Sequence, residues 1–151
     1  MDKMQVERGF TMVEIMIALV IVSVLAGLAI PSFFRTVEQS RSNEAITNLN
    51  IIHMGQKIYR LNNPSIGFWD GNGTTTILAV NDNLNIDISA RFFDKVSIDA
   101  PTPLSKYTAM LKRNLSFGGG SAPYYYYAYT FTVGDPAPTC TKGGPGAAVP
   151  C

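Results

Sequence analysis

Histidine, cysteine and tryptophan are nearly missing from these 151 residues: there is one histidine, His53, one tryptophan and two cysteines. A lone imidazole with no thiol near it excludes the usual zinc ligand sets and reads as a structural or surface residue. It also leaves a serine triad with no base except His53, and no nucleophile motif surrounds any serine. The glycine-rich FGGGSAP, residues 117–123, lacks the lysine of a phosphate-binding loop and opens no helix. Catalytic residues, metal ligands and cofactors are therefore expected to be none, and an enzyme is the weak alternative. Twelve Lys and Arg against eleven Asp and Glu leave a net charge of +1, which offers no broad attraction to nucleic acid; a local basic patch stays open.

Charge is also missing in one place. Residues 15–30, IMIALVIVSVLAGLAI, carry none, whereas charged residues are densest between Arg35 and Arg60. From Phe10 to Ile30 there are 21 residues, which as a helix span about 32 Å, enough for a hydrocarbon core of about 30 Å. The leader MDKMQVERG has Asp2, Lys3, Glu7 and Arg8 but no apolar stretch of its own, so the order differs from a removable secretory signal. Cleavage at AGLA, residues 26–29, remains the alternative that spacing leaves open. Glu14 stands inside the start of the apolar run. The two cysteines, Cys140 and Cys151, lie in a tail rich in Gly and Pro. They read as a disulfide loop made in an oxidising compartment, with two free cytosolic thiols as the alternative.

RGFTMVEIMIALVIVSVLAGLAIPSF, residues 8–33, resembles the leader and N-terminal helix of type IV pilins and type II secretion pseudopilins. The resemblance is strong over residues 7–61 and weakens beyond. It implies that a prepilin peptidase cuts after Gly9, that Phe10 becomes the N-methylated first residue, and that Glu14 serves assembly. Thr11, Leu19 and Pro31 also stand where the family commonly has them. The chemistry of Glu14 can be stated separately: a new amine at Phe10 buried among bundled helices needs a counter-charge, and Glu14 of a neighbouring subunit supplies one. Snorkelling of Glu14 at the helix end is the bland alternative. Gly27 and Pro31 are expected to weaken and kink the helix, since proline has no amide hydrogen.

Beyond Pro31 the residues Ala45, Leu49, Ile52, Gln56 and Tyr59 recur at helical spacing, as do Ile51, Met54, Ile58 and Leu61. The helix is expected to continue to about Leu61 and end before Pro64. TTTILAV, residues 74–80, is the strand candidate in an otherwise irregular stretch. RFFDKVSI at 91–98, YTAMLKRN at 107–114 and YYYYAYTFTV at 124–133 read as antiparallel strands, separated by APTPL and FGGGSAP. The fold class expected is α+β: a long N-terminal helix whose second half packs on an antiparallel sheet of three or four strands. The domain plan is a leader at 1–9, an assembly half-helix at 10–31, and an amphipathic half-helix at 32–61. A connecting region at 62–90, the sheet at 91–133 and a disulfide-bounded tail at 134–151 follow.

Two features of the head invite ligands and are outweighed. Asp70, Asn72 and Gly73, or Asp82 and Asp87, offer oxygens to calcium, but neither stretch has the twelve-residue loop with its closing Glu. Tyr124 to Tyr127 with Tyr129 and Phe131 suit base stacking, yet strands favour aromatics in any case. The cysteine tail is similar to the disulfide-bounded C-terminal region of many pilins. The resemblance thus implies a structural prepilin, anchored in the bacterial inner membrane by a single pass and assembled into an extracellular helical homo-oligomer. Its implied partners are the prepilin peptidase, the assembly platform, minor pilins and inner-membrane lipid. A pseudopilin of type II secretion is the alternative, and a minor pilin that binds DNA or surfaces the weaker one.

Overall fold

The computed structural model describes residues 10–89, 91–113, 126–143 and 149–151. The first helix, α1, runs Met12–Asn62, stopping where Asn63 and Pro64 begin a turn, one residue beyond the expected Leu61. It is uninterrupted through Gly27 and Pro31. The chain divides into two units between Gln39 and Ser40.

In the first unit the described apolar side chains of α1 are exposed. Met12, Leu19 and Leu28 are 85%, 64% and 74% exposed. Such a surface, with a mean hydropathy of 2.7 over its most apolar window, is long and apolar enough to cross a membrane.

The second unit is an α+β head. Ala45, Leu49, Ile52 and Gln56 are fully buried, so the first of the two helical stripes faces the core. The second does not: Ile51 is half-buried, whereas Met54, Ile58 and Leu61 are exposed. Six antiparallel strands form a meander in chain order: β1 (Gly73–Thr75), β2 (Phe93–Thr102), β3 (Lys106–Arg113), β4 (Tyr126–Thr132), β5 (Thr139–Gly143) and β6 (Val149–Pro150). Four of them are five residues or longer, and β1 and β6 are short edges. Along β3 the side chains of Tyr107, Ala109, Leu111 and Arg113 turn inward and those between them outward, the period of two that a half-buried strand requires. In β2 a register shift between Phe93 and Lys95 lets Phe93 and Val96 both reach the core although they differ by an odd number. Fully burying each such aliphatic or aromatic side chain contributes about 1.5–3 kcal/mol.

Several expected bounds are corrected. Residues 74–80 are not one strand: β1 stops at Thr75, and a second helix, α2 (Ile77–Leu84), takes the rest together with the expected turn NDN. The reason is local. Thr76 is extended and its hydroxyl accepts the Ala79 N–H at 3.2 Å, while Asn85 closes the helix in the left-handed region at φ 50°. The stretch 62–90 therefore contains a strand and a helix. APTPL does not separate two strands throughout, because β2 runs through Pro101 to Thr102, where a second register shift accommodates the proline. The tail 134–151 adds β5 and β6, so the expected sheet of three or four strands is present as β2 to β5, with the short β1 and β6 at its two edges. FGGGSAP, Tyr124 and Tyr125 lie outside the described residues.

Candidate functional site

The start of α1 is built by its own sequence. Thr11 precedes the first helical residue, and its hydroxyl accepts the Glu14 N–H at 3.3 Å, while its carbonyl accepts the amides of Glu14 and Ile15. Thr-x-x-Glu at residues 11–14 is the order of a capping box, and a carboxylate in the first turn complements the helix dipole. Phe10, 78% exposed, and Glu14, also exposed, thus sit at one helix end. Sequence reasoning had placed Glu14 there but missed the capping role of Thr11, although the spacing was legible. Gly9 lies outside the described residues.

The head is held to the second half of α1 by polar side chains set among apolar ones. Gln56, fully buried, donates through Nε2 to the Trp69 carbonyl at 3.0 Å and accepts the Trp69 N–H on Oε1 at 2.9 Å. Asn48 donates to the Ser89 carbonyl, and Glu44 Oε1 accepts the Arg91 and Phe92 N–H groups. Asn81 clasps both backbone groups of Ile88. These four side chains satisfy backbone that a connecting segment would otherwise bury unpaired. Gly55 lets this segment close on α1: a Cβ there would stand 2.9 Å from Ile86 Cγ2 and 3.1 Å from Leu84 Cβ. Sequence reasoning counted Gln56 as part of an apolar stripe and so missed the clasp. An amide inside such a stripe was the available signal.

The acidic residues considered for calcium are dispersed. Asp70 Oδ1 accepts the Asn72 and Ala100 N–H groups at 3.0 and 3.2 Å, and Asp82 and Asp87 lie on exposed positions of α2 and the segment after it. Tyr127, Tyr129 and Phe131 are buried on one face of β4.

His53 is 6% exposed and packs edge-on against Phe131 with ring centroids 4.8 Å apart. Its Nδ1 lies 2.6 Å from the Tyr107 hydroxyl. Burial pushes the tyrosine pKa up, with Tyr129 acting in the same direction, so the hydroxyl keeps its proton and donates it to Nδ1. Burial, and after it the Lys57 ammonium, holds His53 below its usual 6.5. The folded state then binds fewer protons than the unfolded one between the lowered value and 6.5, and stability is lost as pH falls through that window. Thermal unfolding of the full chain from about pH 8 to pH 5 is expected to show a falling midpoint. His53→Gln is expected to flatten that slope, and an unchanged slope in the variant would assign it to other groups.

Cys140 and Cys151 are joined by a disulfide, with Cα atoms 5.4 Å apart. The bridge ties Cys151 to β5, where Cys151 N–H also donates to the Cys140 carbonyl at 3.4 Å. Closing so short a loop contributes about 2–4 kcal/mol.

The chain thus combines a helix that presents an apolar, membrane-length face from a capped, acid-bearing start with an antiparallel α+β head. The family profile described as the prokaryotic N-terminal methylation motif matches residues 4–30. The type IV major pilin protein PilA of Myxococcus xanthus is 42% identical over 52 residues, 34% of this chain and 24% of that protein. The type II secretion system core protein G of Escherichia coli is 33% identical over 57 residues, 38% of this chain and 39% of that protein. A fimbrial protein of Neisseria meningitidis is 33% identical over 82 residues, 52% of this chain and 44% of that protein. The chain therefore spans less than half the length of these curated relatives. No solved structure matches. Over these stretches the chain is similar to proteins of the type IV pilin and type II secretion pseudopilin family. Members of that family are structural, form filaments, and are processed by a prepilin peptidase.

Proposed function

We propose that this protein is a prepilin, cut after Gly9, methylated on Phe10, held in the inner membrane and assembled into an extracellular type IV pilus. The observation that carries this reading is the exposed apolar face of α1 beginning at a capped turn that bears Glu14. In water that face is costly, and either lipid or copies of the same helix can cover it. The membrane is then a reservoir of subunits, and assembly exchanges helix–lipid for helix–helix packing while the heads stay in water. Glu14 pairs with the Phe10 amine of a neighbour and sets the axial stagger. Gly27 and Pro31 weaken α1 at the point where such packing bends it. The assembly platform, minor pilins and inner-membrane lipid are its partners, and the role is structural.

The similarity to type II secretion core protein G favours a second reading, in which the filament is a short pseudopilus confined to the envelope. The disulfide at Cys140 and Cys151 favours the pilus. Intact mass of the chain from sheared surface material and from membranes separates them. A surface species lacking residues 1–9, heavier by one methyl and lighter by two hydrogens, supports the pilus. The same species found only in the envelope supports the pseudopilus. Gly9→Val is expected to leave the leader uncut, because a branched side chain replaces hydrogen beside the scissile bond; normal cleavage of the variant refutes the site.

A further inference from the structure

Charge on the head is segregated along the chain. Residues 45–61 contain Lys57 and Arg60 and no acid, whereas residues 62–90 contain Asp70, Asp82 and Asp87 and no base. Asp70 is turned onto backbone amides, but Asp82, Asp87 and Lys57 are exposed. Lys57 and Asp82 each stand beside exposed apolar side chains. Met54, Ile58 and Leu61 are 59%, 55% and 80% exposed at a spacing of four and three on α1, and Lys57 flanks them. On α2, Leu78 is 70% exposed and stands four residues before Asp82, on the same solvent face. Where α1 ends, a cavity of about 340 Å³ is lined by Lys57, Arg60, Leu61, Pro64, Phe68 and Phe131. Arg60 lies over the Phe68 ring, 5.3 Å from its centroid, which keeps its guanidinium at the rim.

We propose that the two faces bind each other between copies of this chain: Leu78 of one head enters the cavity of the next, and Asp82 faces Lys57. This rests on the reading of the protein as a filament subunit. An apolar centre with a charged rim is the composition of a specific interface, and opposite rim charges set its register. Because the two faces differ, the contact is head-to-tail, and unless the rotation closes a ring it propagates as an open helix. A second copy is the partner that leaves neither face uncovered: each chain brings one basic apolar face and one acidic apolar face.

The test uses the full chain in cells that export it. With Leu61→Cys and Leu78→Cys in one chain, oxidation of membranes and sheared filaments is expected to yield a ladder of covalent multimers. Leu61→Cys with Lys95→Cys, whose second position is exposed on β2, is expected to yield none. Lys57→Glu is expected to lower filament yield about tenfold, and Lys57→Glu with Asp82→Lys to restore most of it. If the Leu61/Leu78 variant does not polymerise, the charge exchange decides: restored yield supports the interface and unrestored yield overturns it. Normal filaments with no ladder overturn the interface and leave the filament reading intact. A wild-type chain that loses its leader and forms no polymer overturns both.

Discussion

A Glu14→Ala chain is expected to lose its leader and enter the membrane normally, yet to assemble into filaments at about a hundredth of the wild-type yield or less. The magnitude follows from what assembly buries. Leaving one member of a buried ion pair without its partner costs about 3–5 kcal/mol, and each 1.4 kcal/mol is about tenfold in an equilibrium. Glu14 and Phe10 are exposed, so the pairing proposed for them is one that would be made only between subunits. Glu14→Gln keeps the shape and loses the charge, and is expected to assemble as poorly as the alanine variant. Thr11→Ala separates the local from the intermolecular role: it removes the hydroxyl that accepts the Glu14 N–H and costs about 1 kcal/mol of helix start. Yield is read from sheared surface material and processing from intact mass. Wild-type filament yield from Glu14→Ala would falsify the pairing.

The second large effect is expected in the head. Gly67 has φ +91°, and a Cβ there would run into the backbone of Pro103 and Leu104. The close approach is what allows Phe68 N–H to donate to the Pro103 carbonyl at 2.7 Å and seats Phe68, 1% exposed, beside Tyr107 and Phe131. Gly67→Val combines left-handed strain with a clash against backbone that cannot rotate aside, and is expected to destabilise the head by about 3 kcal/mol or more. In a unit of this size that lowers the midpoint of thermal unfolding by about 10 °C or more. Gly134 is the control. It has φ +107° but open space within 4 Å of where a Cβ would stand, so Gly134→Ala meets strain without a clash and is expected to cost less. Equal midpoints for wild type and Gly67→Val would show that the segment moves without penalty.

Much of the architecture was legible because its signals are local. The charge-free run of residues 15–30 and Pro64 bound α1 closely, since membrane length and the missing proline amide act within a few positions, whereas the Thr11 cap that starts it at Met12 was missed. Strands β2, β3 and β4 were recognised as strand-like runs, and their antiparallel pairing from the turn-rich APTPL and FGGGSAP that separate them in sequence. The helix α2 was not. ILAV has the residues of a strand, and it becomes helical because Thr76 caps it and because Val80 and Leu84, four apart, both find the core. β5 and β6 are too short and too rich in glycine and proline to announce themselves, and they pair where β4 offers an edge and the disulfide closes the loop.

The division between the two levels has a physical cause. By itself the sequence determined a membrane-length helix with an acid at its start, an α+β head and two cysteines suited to a bridge, because each depends on residues near one another along the chain. Only the tertiary structure decided which apolar stripe of α1 is buried and which is left for a partner. Both stripes have helical spacing, and the choice falls to Ala45, Leu49, Ile52 and Gln56 because that face presents a polar clasp for Trp69 along with its apolar contacts. Met54, Ile58 and Leu61 remain in solvent, and their exposure depends on where strands distant in sequence come to lie.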